Sequence, residues 1–151
     1  MLFRSDRQSS GLIQAIMTEF MLDGHFARHL KRMRVLYAER QHFLIDQVAR
    51  RLGDVVDIRP VESGMYLTAW LPCDWSDQAV AAALTEAGVS TSPLSSLVLE
   101  TPRRPGLVLG YTGHSEAAIT RAIDTMAAVL TPPTGLMKLS QPDLRPDRLR
   151  A

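Results

Sequence analysis

The stretch GHFARHLKRMRVLYAERQ, residues 24–41, decides how this chain is read. Phe26, Leu30, Met33 and Tyr37 recur in it at a period near 3.6, and Leu44, Val48 and Leu52 carry the same line on to Gly53 without a proline. One apolar stripe at that period is what a helix presents to a core, so the spacing predicts a single long helix over 25–52. The same stretch crowds His25, Arg28, His29, Lys31, Arg32 and Arg34 together. Three readings compete for the cluster: a nucleic-acid-binding helix, a catalytic or metal-binding pair of histidines, and the solvated side of an ordinary amphipathic helix.

On a helical wheel, at about 100° per residue, Arg28, Lys31 and Arg32 stand opposite the line of Phe26, Leu30, Met33 and Tyr37. Glu39 and Asp46 continue that outer face with the opposite sign, whereas a recognition helix keeps a positive stripe and carries a short companion helix and turn. The solvated-face reading is favoured. His25 and His29 stand at i and i+4, a spacing that suits one metal ion. The zincin helix, however, needs a Glu directly after the first His, and here Phe26 follows His25. Packing against a neighbouring element is therefore the role read for both histidines. His42 and His114 stand apart, with no nucleophile that spacing singles out.

The chain has 151 residues, about one domain, and that length suffices to bury a core. Its 46% hydrophobic and 22% charged content is that of a globular protein, neither disordered nor membranous. No run approaches the roughly 18 to 20 apolar residues of a membrane span, and MLFRSDRQSS lacks the apolar core of a signal peptide. A cytoplasmic location and no membrane partner are expected. The single cysteine, Cys73, excludes an intramolecular disulfide and a zinc site built from cysteine alone. With 17 basic against 16 acidic residues, no global field draws in nucleic acid.

Before the long helix, Leu12, Ile13, Ile16, Met17 and Phe20 predict a first helix that ends at Asp23-Gly24. After Gly53, the β-rich runs VVDIRP (55–60) and GMYLTAWLP (64–72) each close on a proline, and the short gap between them predicts antiparallel pairing. In the second run Met65, Leu67, Ala69 and Leu71 alternate with Tyr66, Thr68 and Trp70, so both faces are expected to be partly covered. Asp74 and Ser76 are candidate caps for a helix with Val80, Ala83, Leu84 and Ala87 inward, closed by Gly88. A short strand, VSTS, leads to Pro93, and GLVLGYT (106–112) reads as a buried strand. Ser115 caps a last helix with Ile119, Ile123, Met126 and Leu130 on one face. From Thr131 the chain turns polar and Pro-containing, and 131–151 reads as a disordered tail. The class is α/β (α+β): a long helix plus a three- to four-stranded, mostly antiparallel sheet covered by helices.

Chemistry is scarce in that frame. Ser95-Ser96 lacks the strand, G-x-S-x-G elbow and helix of a nucleophilic turn. Gly106 to Gly110 encloses Leu107, Val108 and Leu109, a strand core and not a phosphate loop. The residues alone stop at an α/β domain without a self-contained active site, metal site or cofactor site.

The opening stretch, with SGMYLTAWLP (63–72), AGVSTSPLS (87–95) and PGLVLGYTGHSEAAITRAI (105–123), resembles the MocR-type regulators, a branch of the GntR transcription factors. In these a winged helix is fused to a domain of aminotransferase fold type I. The resemblance runs from Gln14 to Leu130. It implies that 12–130 is the C-terminal small domain with its leading interdomain helices, and that 1–11 is an N-terminal remnant. His25, Phe26 and His29 become interdomain contacts, with Arg28, Lys31, Arg32 and Arg34 exposed or facing a subunit. The implied partner is a large pyridoxal-phosphate-binding domain or a homodimer mate. DNA reading belongs to the winged helix, so no direct nucleic-acid contact is expected from this segment.

The resemblance also implies pyridoxal phosphate as the cofactor of the full-length family and none for this chain. The Schiff-base lysine, the Asp that pairs with the pyridine nitrogen and the phosphate-holding groups all lie upstream of the matching segment. The lysines present are Lys31 and Lys138. Val108 stands where aminotransferases of this fold place the Arg that grips the substrate carboxylate, and Arg103 or Arg104 could replace it only in a shifted alignment. Three functions follow: a C-terminal fragment, truncated or split, of a MocR-type regulator with no catalysis of its own; a remnant of a class I/II aminotransferase; or a stand-alone module that pairs with a separately encoded large domain.

Overall fold

A computed structural model describes residues 10–99 and 102–131. It divides into two compact units, one up to Ala38 and one from Glu39 onward. The first holds α1 (Gly11–Leu22) and the opening turns of α2 (His25–Leu52). Between them the chain turns within two residues. Asp23 N–H donates to the Glu19 carbonyl at 2.9 Å, and Gly24 N–H to that of Met21 at 3.1 Å. Gly24 sits at φ 72°, where a side chain would be strained. Its own carbonyl then accepts from Arg28 N–H at 3.1 Å and so starts α2. No residue of α1 is buried.

The second unit takes up α2 from Glu39 and adds β1 (Asp57–Ile58), β2 (Tyr66–Trp70), α3 (Asp77–Glu86), β3 (Ser92–Pro93), β4 (Gly106–Gly110) and α4 (Glu116–Leu130). The strands form one sheet in the order β1-β2-β4-β3, antiparallel throughout. β2 and β4 register Leu67 on Leu109 and Ala69 on Leu107, so one sheet face is continuously apolar. That face, with Tyr111, joins Leu44, Val48 and Leu52 of α2, Val80 and Leu84 of α3, and Ile119, Ile123 and Met126 of α4 in the core. Each such aliphatic side chain, fully buried, contributes about 1.5–3 kcal/mol.

The helices and the antiparallel pairing stand as expected, and the differences have local causes. The run VVDIRP pairs only at Asp57 and Ile58, because Val55 and Val56 both donate to the Leu52 carbonyl at 2.8 Å and close α2. Ser76, not Asp74, caps α3, accepting from Ala79 N–H at 3.3 Å. The buried residues of that helix are Asp77, Val80, Ala81 and Leu84, while Ala87 is exposed at its end. There Gly88 at φ 87° lets Val89 N–H reach back to the Leu84 carbonyl at 2.8 Å, the Schellman closure. Ser115 caps α4, accepting from Ala118 N–H at 3.3 Å. On β2 the cover of the second sheet face is uneven: Thr68 and Trp70 are half-buried and Tyr66 is exposed. Residues 1–9 of the N-terminal remnant, and all of the tail beyond Thr131, lie outside the described residues.

Candidate functional site

By the family resemblance, Val108 stands where an arginine is expected in aminotransferases of this fold. It lies at the centre of β4, registered with Thr68 of β2 on one side and Ser92 of β3 on the other. Strand alternation turns it away from the core face of Leu107 and Leu109, and it is half-buried among its neighbours. A carboxylate approaching this face finds an aliphatic side chain. Arg103 is exposed, and Arg104 is committed elsewhere. Its Nε donates to the Leu71 carbonyl at 2.9 Å and its Nη1 to Asp57 Oδ2 at 3.2 Å. This arginine ties the loop before β4 to β1 and to the end of β2.

At the far end of β4 stands a buried polar knot. Gln41 of α2 donates through Nε2 to the Tyr111 hydroxyl at 3.1 Å, and that hydroxyl donates to the Gly64 carbonyl at 2.8 Å. Gln41 Oε1 accepts from Val61 N–H at 3.3 Å. One turn of α2 thus fixes the β1–β2 loop and the exit of β4. The neighbouring Arg40 donates to the Thr112 carbonyl.

A second buried polar group is Asp77, at the first turn of α3. Its Oδ1 accepts the Ser95 hydroxyl at 2.7 Å and its Oδ2 the Ser95 N–H at 2.9 Å. Ser95 belongs to a 3-10 turn, Leu94–Ser96, and the carboxylate holds that turn in place. The Ser95 hydroxyl is held between this carboxylate, to which it donates, and Gln78 Nε2, which donates to it at 3.4 Å, and that supports the reading of a loop tie and not a nucleophile. A cavity of about 450 Å³ is lined by Leu44, Leu109, Ala118 and Met126, with His114 and Arg121 among its polar members.

The three proposed contact residues lie at the start of α2. His25 is exposed and stacks on Phe20 of α1, with ring centroids 5.6 Å apart and planes at 14°. Its Nδ1 lies 3.4 Å from Arg28 Nη2, and Arg28 also donates to the carbonyls of Asp23 and Gly24. Phe26 is half-buried and His29 is exposed. Among the described residues no group of three or more His, Cys, Asp or Glu side chains could hold a metal ion.

The residues described here do not by themselves fit pyridoxal phosphate. Lys31 stands exposed on α2, Lys138 lies outside the described residues, and the buried carboxylate of Asp77 is taken up by Ser95. Sequence reasoning missed the knot at Tyr111 and the Asp77–Ser95 clasp. The available signal was Gln41, a polar residue spaced four from Tyr37 and three from Leu44 on the apolar line of α2.

A long helix leading into a small antiparallel sheet backed by two further helices is an architecture found in aminotransferases. The α-aminoadipate aminotransferase LysN of Thermus thermophilus superposes with a TM-score of 0.73 at 21% identity, over 83% of this chain and 32% of that one. The multiple substrate aminotransferase of Thermococcus profundus gives 0.70 at 18% identity, over 78% of this chain and 29% of that one. The fold is therefore aminotransferase-like, of the kind seen in pyridoxal-phosphate enzymes.

By sequence the chain is similar to part of a MocR regulatory protein and to part of HTH-type transcriptional regulators. It is 36% identical over 115 residues to the probable rhizopine catabolism regulatory protein MocR of Rhizobium meliloti, covering 76% of this chain and 23% of that protein. It is 27% identical over 119 residues to the uncharacterized HTH-type transcriptional regulator YhdI of Bacillus subtilis (strain 168), covering 79% and 25%. The chain thus spans about a quarter of the length of the curated relatives it matches. No protein-family model matches it. No helix among the described residues is long and apolar enough to cross a membrane.

Proposed function

We propose that this chain works as the C-terminal small domain of an aminotransferase-like, MocR-type transcription regulator in the cytoplasm. In that role it closes over a pyridoxal phosphate site built from residues outside these 151, and passes a ligand-dependent domain movement to a DNA-binding part. The observation that carries the reading is α1. It runs for 12 residues without one buried, and its Leu12, Ile13, Ile16 and Met17 are between 46% and 70% exposed. An apolar surface of this kind marks a covered interface. The large cofactor-binding domain is the partner the reading assigns to it, with a homodimer mate as the other. His25, Phe26 and His29 directly follow α1 and extend the same contact.

Catalysis is not assigned to the chain itself. Lys31 on an exposed helix surface has no surrounding cup, and Val108 offers no charge to a substrate carboxylate. The second reading, a remnant of an ordinary class I/II aminotransferase, is disfavoured by that same Val108. A chimera tests the proposal: this chain replaces the matching segment of a MocR-type relative. The chimera is expected to hold pyridoxal phosphate through desalting, and the chain alone is expected to lose it. A folded chimera without cofactor would count against the reading. So would a stoichiometric cofactor band on the isolated chain that disappears in Lys31→Ala.

A further inference from the structure

We propose that the exposed cationic arc on the first turns of α2, formed by Lys31, Arg32 and Arg34 with Arg28 beside them, is a docking surface for the phosphate backbone of duplex DNA. The overall charge of +1 conceals a strong asymmetry. Residues 24–38 hold four cationic side chains and no acidic one, whereas residues 39–131 hold seven cationic against eleven acidic. The helix segment is thus a local positive pole on a chain whose remainder is negative, and a field of that kind attracts polyanions.

Pairing distinguishes three of these cations from five of the other seven, Arg103 and Arg121 being exposed and far apart in sequence. Of the seven in residues 39–131, Arg40, Arg50, Arg51, Arg59 and Arg104 each meet a carbonyl or carboxylate oxygen. Lys31, Arg32 and Arg34 are exposed and have no acceptor among the described residues, while Arg28 is turned onto the carbonyls of Asp23 and Gly24. Four cations within seven positions of one helix repel one another, and neither carboxylate described in this unit, Glu19 or Asp23, ion-pairs with them to offset that cost. A ligand that brings negative charge does.

The geometry favours a regular polyanion. At a rise of about 1.5 Å and a turn of about 100° per residue, Arg28, Lys31 and Arg32 share one face over about 6 Å, a length over which a duplex presents about three phosphates, and Arg34 stands at the edge of that face. Arginine supplies most of the arc, and its planar fork binds phosphate through two parallel hydrogen bonds. An acidic face of a second copy is a poorer match. Asp46, Asp57, Asp77 and Asp124 are already engaged, and the other described acidic side chains, Glu19, Asp23, Glu39, Asp54, Glu62, Asp74, Glu86 and Glu116, are strung out along the chain.

Such a contact carries no sequence information. It positions and holds. It departs from the expectation that this segment makes no nucleic-acid contact, and it is independent of the cofactor reading above. In relatives named as HTH-type regulators, base reading would remain with the HTH part, and this arc would add a second, weaker attachment at high effective concentration.

The test uses the full chain with two labelled duplexes of unrelated sequence, read by fluorescence anisotropy. Equal binding of both is expected, with the affinity falling about 40-fold between about 50 and 200 mM salt, as three released phosphate contacts require. Arg32→Glu with Arg34→Glu is expected to weaken binding by about tenfold or more and to flatten the log–log salt slope by about two. Arg103→Glu with Arg121→Glu, the same charge change on exposed residues of the other unit, is expected to leave binding within about twofold. Circular dichroism confirms that both variants fold. Equal loss in the two pairs would overturn the proposal by reducing it to net charge. Tighter binding to anionic phospholipid vesicles than to DNA at the same salt would overturn it in favour of a membrane. Self-association that the Arg32 and Arg34 variant alone removes, with DNA binding unchanged, would give the face to a second copy.

Discussion

The side-chain amide of Gln41 donates to the hydroxyl of Tyr111 at 3.1 Å, joining residues 70 apart in sequence inside the core. Tyr111 is 1% exposed and its hydroxyl in turn donates to the Gly64 carbonyl, so removing that oxygen strands the buried Gln41 amide and unties the exposed loop at Gly64. Tyr111→Phe is expected to cost about 1–3 kcal/mol in urea unfolding, the usual penalty of an unsatisfied buried polar group. Tyr111→Phe with Gln41→Leu is expected to cost less than the sum of the single changes, because the donor left behind is removed as well. Additive losses would show that the two side chains do not act as a unit.

How far the sequence announced this arrangement depends on the kind of signal. Periodicity identifies α2, because Leu44, Val48 and Leu52 repeat with the helix, and the same logic gives α4 through Ile119, Ile123 and Met126. Gly24 and Gly88 mark helix ends because only a glycine takes their positive φ without strain. The order of strands is not local information. Pairing β2 with β4 across α3 brings Val108 beside Thr68, and no spacing in the sequence states that register. Long-range polar pairs are hidden for the same reason: Gln41 on the apolar line of α2 and Asp77 in the first turn of α3 do not name the distant Tyr111 and Ser95 set against them. The resemblance to a known family supplied the expected fold that periodicity alone could not.

Asp77 offers a sharper test of a single clasp. Its two carboxylate oxygens hold the Ser95 N–H and hydroxyl, and the side chain is buried. Asp77→Ala is expected to destabilise by about 1–3 kcal/mol and to free the 3-10 turn Leu94–Ser96. Asp77→Asn keeps an acceptor for one of the two donors and is expected to lose less. Amide hydrogen exchange at Ser95 checks the local part: protection there should fall in Asp77→Ala and persist in part in Asp77→Asn.

Arg104 and Arg103 separate structure from charge. They are adjacent, yet only Arg104 bonds the Leu71 carbonyl and the Asp57 carboxylate. The ion pair is about one-third exposed on each side and is weakened by solvent screening, which leaves the carbonyl bond as the main loss. Arg104→Met is expected to lower stability by about 0.5–1.5 kcal/mol. Arg103→Met, on an exposed side chain, is expected to stay within about 0.5 kcal/mol of the parent. A larger effect at Arg103 in thermal unfolding would mean that its side chain has a role the exposed position does not suggest.

The apolar face of α1 sets the last prediction. Leu12 is 70% exposed and Ile13 59%, and no residue of the helix is buried, so these side chains contribute little to the stability of the chain as it stands. They expose a contiguous surface that water disfavours, and the isolated protein is expected to bind a hydrophobic dye or to self-associate. Replacing Ile13 and Ile16 by Glu breaks that surface without emptying any core. The double variant is therefore expected to lose dye binding and to run as a smaller species in sedimentation, with the stability of residues 39–131 unchanged within about 0.5 kcal/mol. If the variant instead unfolds earlier, α1 supports the fold from within and its apolar face is not an interface. If the parent is a monomer that binds no dye, the surface needs no partner, and the assignment of α1 to a covering domain loses its footing.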